Sequence, residues 1–160
     1  MKKFLLTSLV FAAGIALGAV AGHFATVIRY GIKESRMSRV YEESRVAALG
    51  SNAFAAYLSE APEVGIYALK AHLNDLDQQE HKWGTNWAIL QMKDVNYMRA
   101  IAHARLANLY AKTGTPDLSS NETRNAWQAY SATSVHLRGV TNSSDFANYV
   151  QNRDSKRSWW

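Results

Sequence analysis

Residues 86–112 read NWAILQMKDVNYMRAIAHARLANLYAK, and they decide the fold class. Leu90, Met98, Ile101, Leu106 and Leu109, with Arg105 among them, fall on overlapping faces of a helix. Gly114 just past the last turn and Pro116 behind it are the ordinary signals for a helix stop. Working outward, Ser119-Ser120-Asn121-Glu122 has the form of a capping box, a hydroxyl followed three residues later by glutamate. It predicts a further helix to about Leu137, with Ala126, Trp127, Tyr130 and Val135 for packing and Gly139 as its stop. Residues 142–145 then predict a cap for a short helix over 146–152. On the other side, residues 83–87 form a connector with two tryptophans, Trp83 and Trp87. Pro62 followed by Glu63 predicts the start of a helix to about Gln79, with Val64, Ile66, Leu69, Leu73 and Leu76 on its apolar face. Residues 31–60 also carry helical spacing, with a break expected at Gly50-Ser51-Asn52. The chain therefore reads as all-α, an antiparallel helical bundle.

In front of this body stands a different segment. Residues 4–28 read FLLTSLVFAAGIALGAVAGHFATVI, with Lys2 and Lys3 before them, Arg29 behind and no charged residue inside. A helix of that length runs to about 37 Å at about 1.5 Å per residue, more than the about 30 Å of a bilayer's hydrocarbon core. Two readings compete. One is a secretory signal, cleaved after Ala21 behind Ala19-Val20-Ala21. The other is an uncleaved anchor, because the apolar run continues through Phe24, Val27 and Ile28 and is followed by an interfacial Tyr30. The second is the reading preferred here. The basic head favours its own end inside, whereas Arg29, Lys33, Arg36 and Arg39 pull the other way; with so short a head, the expectation is a single-pass inner-membrane protein with a periplasmic body. Gly14, Gly18 and Gly22 repeat at four-residue spacing and would let two such helices approach, which makes a homodimer through the membrane helix an expectation. The expected organisation is an anchor over 1–28, a helical stalk over 29–52, a helical domain over 53–152 and a basic tail over 153–160.

Charge and composition narrow the function classes. Eighteen basic residues stand against thirteen acidic, a net charge of +5 with two of the cations in the leader. That is too small and too scattered for a nucleic-acid reader. With no cysteine, disulfides, zinc–thiolate sites and thiol catalysis are excluded. Basic patches at 29–39 and 153–157 suit anionic lipid headgroups. Trp159 and Trp160, behind Lys156-Arg157, suit a bilayer interface or a partner's pocket.

Leu106, Ala107, Tyr110 and Gly114 on one helix, with Ala126 and Tyr130 on the next, resemble a tetratricopeptide-type helical hairpin. Residues 54–73 resemble a shorter one through Tyr57, Gly65 and Leu69. The pattern's leading tryptophan is absent, and the turn between the better pair reads as about seven residues too long by the usual repeat. The whole is similar to small bacterial proteins that carry an N-terminal anchor and a degenerate repeat domain. That resemblance implies partner binding on a concave helical face, here near Tyr97, Arg105, Tyr110 and Tyr130, and it carries no catalytic residues.

Chemistry-bearing motifs are sparse. His72, His81, His103 and His136 are the histidines outside the leader, and no His-Glu-x-x-His or Glu-x-x-His pattern joins them. Asp77 and His81 are four apart and predict a surface ion pair. No nucleophile elbow or phosphate loop is present in the sequence. Asp94, with Arg99 or Arg105 on the same helix, predicts a buried ion pair between helices, and Trp83, Trp87 and Trp127 predict one aromatic cluster. No catalytic set, metal or cofactor follows from these residues. The expectation is a membrane-anchored helical adaptor or assembly factor of the envelope that binds a protein partner. The competing expectation is a secreted helical enzyme or small-ligand binder released by cleavage after Ala21.

Overall fold

The computed structural model describes the backbone of residues 2–58 and 61–156, and within those ranges the side chains from Gly22 onward. Among the described residues the chain is all-α. Its helices are α1 (Lys2–Tyr57), α2 (Pro62–Trp83), α3 (Met92–Lys112), α4 (Pro116–Ser131) and α5 (Ser143–Ser155). The chain divides into two compact units, Met1–Arg39 and Val40–Trp160. In the first, the described side chains from Gly22 to Ser38 are all exposed, Phe24, Val27, Ile28 and Ile32 among them. Among the described residues no helix is long and apolar enough to cross a membrane; most of the leader's side chains lie outside that set.

The second unit is built around α3. Its residues serve two cores, which is why its apolar positions spread over more than one face. Val95, Ala102, Leu106, Leu109 and Tyr110 pack with Val46, Ala53 and Tyr57 of α1 and Leu69, Leu73 and Leu76 of α2. Ala100, Ile101 and Ala104 face the other way, against Ala126 and Tyr130 of α4 and Phe146 and Val150 of α5. Small alanines on that side let α4 and α5 approach closely, and the Tyr130 and Phe146 rings stack at 4.5 Å between centroids. Full burial of Phe146 alone contributes about 2–3 kcal/mol. The last turns of α1 and α2 form an antiparallel hairpin: Gln79 reaches back to Glu42, Asp75 to Arg45, and Gly65 lies against Tyr57.

Several local expectations change for identifiable reasons. The stop expected at Gly50 is absent, and α1 runs through it. Gly50 instead provides room for the His72 imidazole, whose Cε1 would lie 3.0 Å from a Cβ there. Helix α3 begins at Met92 rather than near Asn86 because the buried carboxylate of Glu43 accepts the backbone N–H groups of Ala88, Ile89 and Leu90, holding that stretch as a loop. Asp94 therefore lies in the first turn, where it accepts from the Gln91 N–H at 3.0 Å, and among the described residues it joins no arginine. Helix α4 starts at Pro116, ahead of the expected box, and Ser119 donates to the Ala107 carbonyl of α3 at 2.9 Å instead of capping. The α3–α4 turn is consequently short, with Gly114 in the left-handed region at φ 71°. α4 ends at Ser131, where the Leu137 N–H turns back to the Tyr130 hydroxyl at 2.9 Å. Asn142 caps α5 by accepting from the Asp145 N–H at 2.9 Å, as its sequence predicts.

The three tryptophans do not meet in one cluster. Trp87 packs on the first core, Trp127 on the second, and Trp83 donates to Gln79 at 3.0 Å. Asp77 pairs with Arg99 at 2.9 Å.

Candidate functional site

A cleft of about 320 Å³ lies between α3 and α4. Asn96, Arg99 and His103 come from three successive turns of α3, Asn125 and Gln128 come from the later turns of α4, and Ala132 follows directly after its end. The helices can approach here because Ala100, Ala104 and Ala126 fill the space beneath. The side chains of the α3 wall are held in place. Arg99 donates to Glu80 at 2.6 Å and Asp77 at 2.9 Å, both on α2, and to Asn96 at 3.2 Å. His103 Nδ1 lies 2.5 Å from Glu122 Oε2. Asn125 and Gln128 are exposed on the opposite wall. Each carboxamide offers a donor and an acceptor. Together the walls present hydrogen-bonding groups of both kinds on a fixed frame.

A second set of polar groups is internal. Arg105 donates from Nε to Asp154 Oδ2 at 2.8 Å and from Nη2 to Oδ1 at 3.0 Å, a two-pronged buried pair that joins α3 to α5. The face of the Phe54 ring lies 4.0 Å from the Arg105 guanidinium carbon. Arg105 thus makes a buried interhelical pair with Asp154, and not with the Asp94 expected from the sequence. Arg105 and Arg153 also line a cavity of about 210 Å³, with Leu69, Met98, Ile101 and Ala102 as apolar walls and His72 and Gly50 on another side. His72 is 4 % exposed and its Nδ1 has no hydrogen-bond partner. Burial pushes its pKa below the ordinary value; Asp75 opposes that shift and Arg105 adds to it.

The residues expected to form a partner face are placed differently from one another. Arg105, Tyr110 and Tyr130 are buried in the two cores. Tyr97 is half-buried, accepts from Arg153 at 3.4 Å and has its pKa raised, chiefly by burial. Trp159 and Trp160 lie outside the described residues, Gly14 and Gly18 are described in the backbone of α1 alone, and Gly22 is exposed. The signal that could have found the cleft is a polar one at helical spacing, Asn96-Arg99-His103 on one helix and Asn125-Gln128 on the next. His72 and Glu43 had no such signal, because their burial depends on contacts with distant segments. Among the described residues no group of three or more His, Asp or Glu is placed to hold a metal ion.

Comparison with family models, curated proteins and solved structures gives no match.

Proposed function

We propose that this chain is a membrane-anchored helical adaptor of the cell envelope, and that its α3–α4 cleft holds an extended peptide segment of a partner protein. The observation that carries the reading is the pair of facing polar stripes. Asn96 on one wall and Asn125 and Gln128 on the other can meet the amide groups of an extended chain, which must find partners for both N–H and C=O. Arg99 and His103 are braced by carboxylates of this same chain, so the wall is preorganised and binding need not order it. The resemblance to helical-repeat hairpins points to the same class of function.

Anchoring is supported by the uncharged run over 4–28, whose Phe24, Val27 and Ile28 are exposed, and by exposed Ile32 just past it. In this reading the helix spans the inner membrane once, the body faces the periplasm, and Gly14, Gly18 and Gly22 offer a close-packing stripe to a second copy.

The test of the cleft is site-specific photo-crosslinking in intact membranes. A crosslinking residue at Asn125 is expected to give a discrete adduct that one at exposed Gln151 on α5 does not. Adding Asn96→Ala and Gln128→Ala should remove the adduct while far-UV circular dichroism stays unchanged. Equal adducts from both positions, or none from Asn125, would reject the cleft as the binding surface.

A further inference from the structure

The cavity among α1, α2, α3 and α5 belongs to neither the cleft nor the anchor, and its polar groups are not fully used. Two arginines line it, Arg105 and Arg153, and one carboxylate, Asp154, serves both. Arg105 takes that carboxylate with two hydrogen bonds, whereas Arg153 Nε stands 3.9 Å from it. Arg153 Nε is buried and makes no hydrogen bond, and neither does His72 Nδ1. Such groups at an apolar cavity are costly unless something meets them. Asp75, buried beside His72, is paired with Arg45, so the two cavity arginines and Asp154 leave one positive charge over.

We propose that this cavity is a binding site for a small monocarboxylate with a compact apolar body, its carboxylate received by Arg153 and His72. The body would lie against Leu69, Met98, Ile101 and Ala102. Size agrees: an apolar cavity of about 150 Å³ takes up benzene, so about 210 Å³ holds a ring with a carboxylate. Charge agrees, since a monoanion neutralises the surplus without disturbing the Arg105–Asp154 pair. Chemistry agrees, because a guanidinium N–H is a strong donor to carboxylate, and buried, neutral His72 adds a second nitrogen without adding charge. Ala47 lines the cavity and is exposed, so the ligand has a way in from the α1 side.

The probe is benzoate, titrated calorimetrically into the full chain in mild detergent, beside benzyl alcohol (similar shape, no charge) and acetate (charge, no ring). Benzoate is expected to bind saturably with one site, and each of the other two at least about ten-fold more weakly, the scale of one lost charge-assisted hydrogen bond or of the buried ring. Arg153→Gln should weaken benzoate by about ten-fold or more with the thermal midpoint little changed. Ala47→Leu, an exposed substitution that closes the entrance without entering the core, should abolish binding. No saturable binding of benzoate would overturn the site, as would equal affinity for benzyl alcohol or indifference to Arg153→Gln. In those cases the cavity holds water or any apolar solute. The cleft is not involved in any arm, so the two readings stand or fall separately.

Discussion

Two buried side chains show how single residues set this structure. The Glu43 carboxylate takes three consecutive backbone N–H groups, those of Ala88, Ile89 and Leu90, and so fixes where α3 can start. Hydrogen bonds to a charged acceptor are worth more than neutral ones, and removing the acceptor orphans all three donors. Glu43→Ala should therefore cost about 3 kcal/mol, read as a lower denaturant midpoint by tryptophan fluorescence. A change within experimental error would mean the loop holds itself. His72 acts through protonation. Its pKa lies below 6.5 in the fold because charging it in the core is unfavourable, so as pH falls the unfolded chain binds the proton first. The stability linked to His72 is whole above about pH 6.5 and declines as pH drops through that value towards the folded pKa. The thermal midpoint should fall between about pH 7.5 and about pH 5.5, and fall less in His72→Gln. Parallel curves for the two proteins would remove His72 from the account.

At the scale of elements, α3 explains both what could be read and what could not. Its helical period, and its end at Gly114 and Pro116, were legible because both are local signals. That it serves two cores was visible only as a spread of apolar positions over overlapping faces. Its start was misplaced because Glu43 lies far off in sequence, and α4 was begun too late because Ser119 bonds α3 rather than its own helix. The Arg105–Asp154 pair joins α3 to α5 across a long stretch of chain, beyond any spacing rule. Asp154→Ala leaves a buried guanidinium unpaired and should cost about 3–5 kcal/mol, whereas Arg105→Met with Asp154→Leu should recover most of that loss. A double variant no more stable than the single one would show that the pair contributes more than its mutual neutralisation. The α1–α2 hairpin depends on Gly65. A Cβ there would lie 2.9 Å from Leu109 Cδ1 and 3.1 Å from the Tyr57 Cα. Because backbone must move, Gly65→Ala should destabilise by about 1–3 kcal/mol, checked by thermal unfolding.

For the whole molecule, the helical class was legible throughout the body, and the α3–α4 hairpin carries the cleft on which partner binding is proposed. The cleft itself needed the structure to bring two stripes face to face. The residues thought to line a concave surface included Tyr110 and Tyr130, whose aromatic character marks core packing as readily as binding, and Arg105, which is buried by its pair with Asp154. The central claim is that this helical body works while held at the membrane by its own leader. Mass spectrometry of the N-terminus of protein recovered from cell membranes after carbonate washing tests it most directly. The account predicts that the washed membranes retain the protein with residues 1–21 in place. Protein that starts at Gly22 and is found in the soluble periplasmic fraction would contradict it.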